Sequence, residues 1–116
     1  MGQKQEYNMG RYKIRITDNA LINLIGITDF IEFENFQREN SIKVGKTILS
    51  EMDIISLNPY SFKECKYLPT KSKMYRQSLC LSWYIIFRIT ADEIVILGII
   101  HSARKPSQIK KLRSIK

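Results

Sequence analysis

"WYIIFRITADEIVILGIIHSARKP", residues 83–106, decides how this chain folds. Aromatic and β-branched residues dominate its two apolar runs, which marks both as strands. The residues between them, "TADE", make a four-residue hairpin loop. The second run, Ile94 to Ile100, is apolar at successive positions instead of alternating, so both of its faces are buried. That places it at the centre of a sheet with helices over one side. The run ends on His101, the only histidine of the chain, followed by Arg104, Lys105 and Pro106. Just upstream, "MYRQSLCL" (74–81) gives a further short strand.

Working outward, "RYKIRIT" (11–17) alternates Tyr12, Ile14 and Ile16 with Lys13, Arg15 and Thr17. Period two with cations on the wet face reads as an edge strand. Thr17 or Asp18 can cap the following helix, since each offers an oxygen to free backbone N–H groups. Apolar residues recur at helical spacing from Ala20 to Phe36, with Leu21, Leu24, Ile25 and Ile31 as the stripe and Ala20, Ile27 and Phe30 widening it. "RENS" (38–41) breaks this helix, and Asn40 or Ser41 caps a second one carrying Val44, Ile48, Met52 and Ile55 on one face. Gly45 costs that helix about 1 kcal/mol against alanine, which points to a close helix contact there. Asn58-Pro59 ends it, because a residue before proline avoids the helical region.

Residues 59–74 read as a basic loop, residues 1–10 as a flexible polar tail (with Met9 as an alternative start) and residues 107–116 as a short basic tail, with a helical turn as the alternative, after a domain spanning 11–106. The order is β-α-α-β-β-β. A helical hairpin packed on a mostly antiparallel four-stranded sheet is a two-layer α+β fold.

A chain of 116 residues with 44% apolar content suits one domain and is too apolar for disorder. No stretch reaches the roughly 20 apolar residues of a membrane span, so no membrane partner is expected. Cys65 and Cys80 stand apart, and "MGQKQEYNMG" lacks the apolar core of a secretory signal; both favour a reduced, cytoplasmic setting. One histidine and two scattered cysteines do not make a metal site, and no cofactor is implied. Residues 1–58 hold 7 Lys/Arg against 8 Asp/Glu, whereas residues 59–116 hold 12 against 3. Such asymmetry argues for a polyanionic or acidic partner facing the C-terminal half.

The segment "YRQSLCLSWYIIFRI…IVILGIIHSARKP" and the element order resemble the RelE/ParE superfamily, the toxins of type II toxin–antitoxin modules. Arg76 stands seven residues before Trp83, as the family arginine stands before its strand aromatic. Trp83, Tyr84 and Phe87 occupy the aromatic positions, and His101 with Arg104 forms the closing His-x-x-Arg. The resemblance covers about residues 11–106. It implies a cognate antitoxin that lays an acidic segment across a groove of the toxin.

The family divides by target. ParE-like members inhibit DNA gyrase by binding; RelE-like members cut messenger RNA on the ribosome. RNA cleavage needs a base for the ribose hydroxyl, an acid for the leaving oxygen and cations for the phosphorane. Under that reading His101, Arg76 and Arg104 are the catalytic set. Yet Ser78 and Cys80 stand where RNA-cutting members tend to carry a further cation, and no tyrosine follows the closing motif. "GIIHSARKP" reads closer to the ParE side, and a non-toxic binding module of the same fold is a third reading. Lys63, Lys66, Lys71, Lys73, Arg76, His101, Arg104 and Lys105 are the expected target- or nucleic-acid-binding residues. Each has a plainer alternative. His101 can be a strand-end imidazole bonded to a carbonyl, and Arg76 a brace to a helix acid. Trp83 and Phe87 can be core residues. The loop lysines, with Tyr60, Phe62 and Tyr67 between them, can be a solvated loop or a platform for single-stranded nucleic acid.

Overall fold

In the computed structural model, which describes residues 12–116, β1 (Lys13–Ile16) leads into α1 (Asp18–Asp29), a π-helical turn (Phe30–Glu34) and α2 (Arg38–Leu57). A short 3-10 turn (Pro59–Ser61) precedes β2 (Lys63–Glu64), β3 (Tyr75–Cys80), β4 (Trp83–Ile89) and β5 (Glu93–His101); α3 (Pro106–Lys110) and a last 3-10 turn (Lys111–Ser114) follow. The expected tail 1–10 and the alternative start at Met9 lie outside the described residues.

The sheet order is β1-β5-β4-β3-β2, with β1 parallel to β5 and every other pair antiparallel. The class is the expected α+β, with one strand more than the expected four. β2 is two residues long, too short to show a period, and so disappears into its loop in a pattern reading. β5 is an interior strand buried on both faces, as its unbroken apolar run requires, although β4 holds the middle position.

The helical hairpin covers one face. Ala20, Ile31, Val44, Ile48, Met52 and Ile55 pack there against Ile85, Phe87, Ile89, Ile94, Ile96 and Ile99. Thr17 caps α1 as expected, its Oγ1 accepting from the Ala20 N–H at 3.1 Å. Two readings of the hairpin need correction. "RENS" does not break the first helix: Arg38 to Ser41 form the first turn of α2, and the break falls at Asn35–Gln37, where Phe36 takes φ of +56°. Ser41 is no cap either; its buried hydroxyl donates to the Thr28 carbonyl at 2.7 Å and ties the helices together. The inward stripe of α1 is also displaced. Ala20, Leu24, Ile27 and Ile31 face the core, while Leu21, Ile25 and Phe30 are exposed. A helix apolar on nearly every side does not select its own buried face.

The other face is covered too. Cys65, Leu68, Tyr75, Ile86, Val95 and Leu97 close a second cluster with Ile109 and Leu112. Residues 107–116 are therefore more than a basic tail, because α3 and the turn after it are docked on the sheet. Arg88 holds the end, donating to the Ile115 carbonyl at 2.8 Å and the Lys116 carbonyl at 2.9 Å, and Arg15 adds a third bond to Lys116 at 2.7 Å.

Two glycines test this packing with opposite signs. A Cβ on Gly45 would meet the Thr28 methyl at 3.4 Å, an ordinary contact, which confirms the close helix approach. Gly45→Ala should raise stability by up to about 1 kcal/mol from helix propensity. A Cβ on Gly98 would press on Leu112 at 3.1 Å and on Asn23 Oδ1 at 3.3 Å. Gly98→Ala should cost about 1–3 kcal/mol. Urea midpoints check both.

Candidate functional site

β5 changes phase in mid-strand, and that change builds the site. Phe87 pairs with Ile96 but its neighbour Ile86 pairs with Gly98, so Leu97 is an extra residue, a β-bulge. Ile94 and Ile96 face the helices. In a regular strand Ile99 and His101 would then face the opposite side. The bulge returns them to the helical side, where Ile99 joins the first cluster and His101 sits across from Trp83.

The Thr17 backbone N–H still donates to the Ile96 carbonyl at 3.1 Å, but β1 pairing stops there and does not reach the bulge beyond it. α1 supplies the partners. Thr17 Oγ1 donates to the Ile96 carbonyl at 2.8 Å, Asn19 Nδ2 donates to the Leu97 carbonyl at 3.0 Å, and Asn23 Oδ1 accepts from the Ile99 N–H at 2.9 Å. Thr17, Asn19, Asn23 and Gly98 are thus positioning residues for His101. Sequence reasoning missed the two asparagines because two polar residues in an apolar helix show no motif. Asn side chains one helical turn apart, facing a strand that contains glycine, are the only sign they leave.

The result is a groove of about 770 Å³ between α1 with its π-helical turn and the far ends of β4 and β5. Ile22, Gly26, Phe30 and Ile31 form one wall, and Trp83, Ile99, His101 and Arg104 the other. Ile22 and Phe30 are 67% and 57% exposed, so nothing among the described residues covers this wall. The Trp83 and His101 rings meet edge to face, 5.8 Å between centroids. His101 Nδ1 accepts the Ala103 N–H at 3.0 Å, so the proton of the neutral ring sits on Nε2. The imidazole is a donor at its outer nitrogen. The Arg104 N–H donates to the His101 carbonyl at 2.9 Å, which closes the turn and holds the guanidinium on the same rim. Lys105 follows, exposed, at the start of α3.

The other expected site residues lie elsewhere. Arg76 stands opposite Phe87, four residues along β4 from Trp83, about 14 Å down the strand from His101. Its guanidinium donates to the carbonyls of Lys73, Tyr60 and Phe62 at 2.8–3.0 Å and lies 5.0 Å from the Tyr60 ring. Arg76 is a brace, to backbone carbonyls and not to a helix acid, and the set His101, Arg76 and Arg104 is not assembled. Lys63, Lys66, Lys71 and Lys73 surround that same distant edge and are all exposed. Phe87 is wholly buried, a core residue. Ser78 and Cys80 point into the helical layer: Ser78 bonds to the Glu51 carboxylate, and Cys80 Sγ lies 3.9 Å from the Thr47 carbonyl. Burial, then the Glu51 charge, raises the Cys80 thiol above its ordinary 9.0, and burial does the same to Cys65. Neither thiol is a nucleophile at neutral pH.

Comparison with known proteins bears on the fold and the family. Among curated proteins no sequence matches. A solved structure described as the chromosomal ParDE toxin–antitoxin system from P. aeruginosa is similar in fold, with a TM-score of 0.62 at 18% identity, covering 79% of this chain and 97% of that one. The family model for the ParE toxin of the type II toxin–antitoxin system, parDE, matches residues 14–106, from β1 through the closing His-x-x-Arg to the first residue of α3. On that match the chain belongs to the ParE toxin family of type II toxin–antitoxin systems.

Proposed function

We propose that the chain inhibits DNA gyrase by binding it and is neutralised by a cognate antitoxin laid in the groove between α1 and the ends of β4 and β5. One observation carries the choice of binding over cleavage: among the described residues the histidine shares its groove with one cation, Arg104, and Arg76 is consumed by three backbone carbonyls. An in-line attack on RNA needs a free base and clustered cations, and His101 presents a proton instead. The groove suits an amphipathic helix whose apolar side chains meet Ile22, Phe30 and Trp83 and whose acids meet Arg104. The same exposed wall would serve a target while the antitoxin is absent.

Two reactions test the reading. Added to a gyrase supercoiling reaction, the purified protein should stop supercoiling. Added to a coupled translation reaction, it should leave message ends unchanged. Codon-positioned cuts with untouched supercoiling would instead establish the RelE-like, ribosome-directed endonuclease.

A further inference from the structure

The charge asymmetry between the halves of the sequence becomes an asymmetry between the faces of the molecule. The helical layer, residues 18–57, carries Asp18, Asp29, Glu32, Glu34, Glu39, Glu51 and Asp53 against Arg38, Lys43 and Lys46. The opposite face is covered by two segments distant in sequence, residues 63–75 and 105–116. Between them they hold nine cations and a single acid, Glu64. The β2–β3 register puts Glu64 across from Arg76 and Lys63 across from Gln77, so Glu64 shares the helical side and Lys63 the covered face. Packing joins the two segments: Leu68 and Cys65 meet Ile109 and Leu112, and Arg113 donates to the Pro69 carbonyl at 3.2 Å. With Ile109 and Leu112 turned inward, Lys110 and Lys111 stand outward, and Lys66 and Lys71 are exposed on the segment that Ile109 and Leu112 pack against. Among the described residues the one ion pair is Arg15–Glu93, so none of these lysines meets a carboxylate.

We propose that this face is a second binding surface, separate from the groove, which holds the phosphate backbone of duplex DNA through charge alone. The aromatics of the region decide between duplex and single strand. Tyr67 lies under Lys66 at 5.1 Å, Tyr75 is buried against Arg113 at 5.4 Å, and Tyr60 is taken by Arg76. Tyr84, the remaining ring on this face among the described residues, packs partly buried against the second cluster, so the face offers cations rather than the row of open rings that single-strand binding uses. Unpartnered cations spread across a folded face suit a continuous line of phosphates.

The test measures fluorescence anisotropy of a labelled 25-base-pair duplex of arbitrary sequence against salt. The full chain should bind with a steep salt dependence. The variant Lys66→Gln/Lys71→Gln/Lys110→Gln/Lys111→Gln should bind at least about 30-fold more weakly at low salt. Its log–log slope should fall by about 3 to 4, since each phosphate neutralised contributes about 0.9. Lys43→Gln/Lys46→Gln, which removes like charges from the helical layer, should bind as the parent does. The proposal is overturned if the fourfold variant keeps its affinity and slope, or if the helical-layer variant loses as much. Tighter binding of a single strand of equal length overturns it as well. So does binding of polyglutamate without binding of the duplex, which would assign the face to an acidic protein.

Discussion

Replacing Ile109 and Leu112 together by alanine is expected to remove about 4–10 kcal/mol of stability, enough to leave the chain largely unfolded at room temperature. Each side chain is about 95% buried or more, in the cluster that covers Val95, Leu97, Ile86 and Tyr75. Truncation of a buried leucine or isoleucine costs about 2–5 kcal/mol, the lost transfer energy plus the cavity left behind. A domain of this size has only about 5–15 kcal/mol to lose. The expected readout is a urea midpoint shifted far to the left, or protein recovered only in the insoluble fraction. Lys110→Ala/Lys111→Ala, on the outward side of the same turn, should stay within about 0.5 kcal/mol of the parent. A double alanine variant as stable as the parent would show that residues 105–116 do not belong to the folded unit.

The second large effect concerns partner binding and leaves stability alone. Phe30→Asp should weaken the antitoxin by 30-fold or more, about 2 kcal/mol, the scale of an aromatic anchor lost from an interface centre. Phe30 is more than half exposed, so the urea midpoint should move by no more than about 0.5 kcal/mol. Titration calorimetry with the protein encoded by the adjacent reading frame gives the affinity. In cells the variant should also need more antitoxin to restore growth. An unchanged affinity would place the antitoxin elsewhere.

Legibility from sequence divided along physical lines. Where a residue's role follows from its near neighbours, the reading held: the strands around "TADE", the Thr17 cap and the Val44, Ile48, Met52 and Ile55 stripe of α2 all stand as read. Where the role depends on a partner distant in sequence, it did not. α1 is apolar all round, so only packing could choose Leu24 and Ile27 over Leu21 and Ile25. Ile109 and Leu112 sit among lysines, and nothing local announces that the sheet's second face needs them. Arg76 matched the motif position, but three carbonyls supplied by Lys73, Tyr60 and Phe62 make it a brace. His101 and Arg104 were legible as a pair because four residues of turn keep them together. That they face the groove at all depends on the bulge at Leu97, which the pattern could not show.

Trp83 is the only tryptophan of the chain and stands in the wall of the groove, half-buried against His101. Its emission therefore reports directly on whether the groove is the docking site. When the protein is titrated with an antitoxin segment that contains no tryptophan, emission should shift to the blue and acrylamide quenching should fall, both saturating with the binding isotherm. Binding that saturates by anisotropy of a labelled segment, while the spectrum and quenching of Trp83 stay as in the free protein, would contradict the assignment.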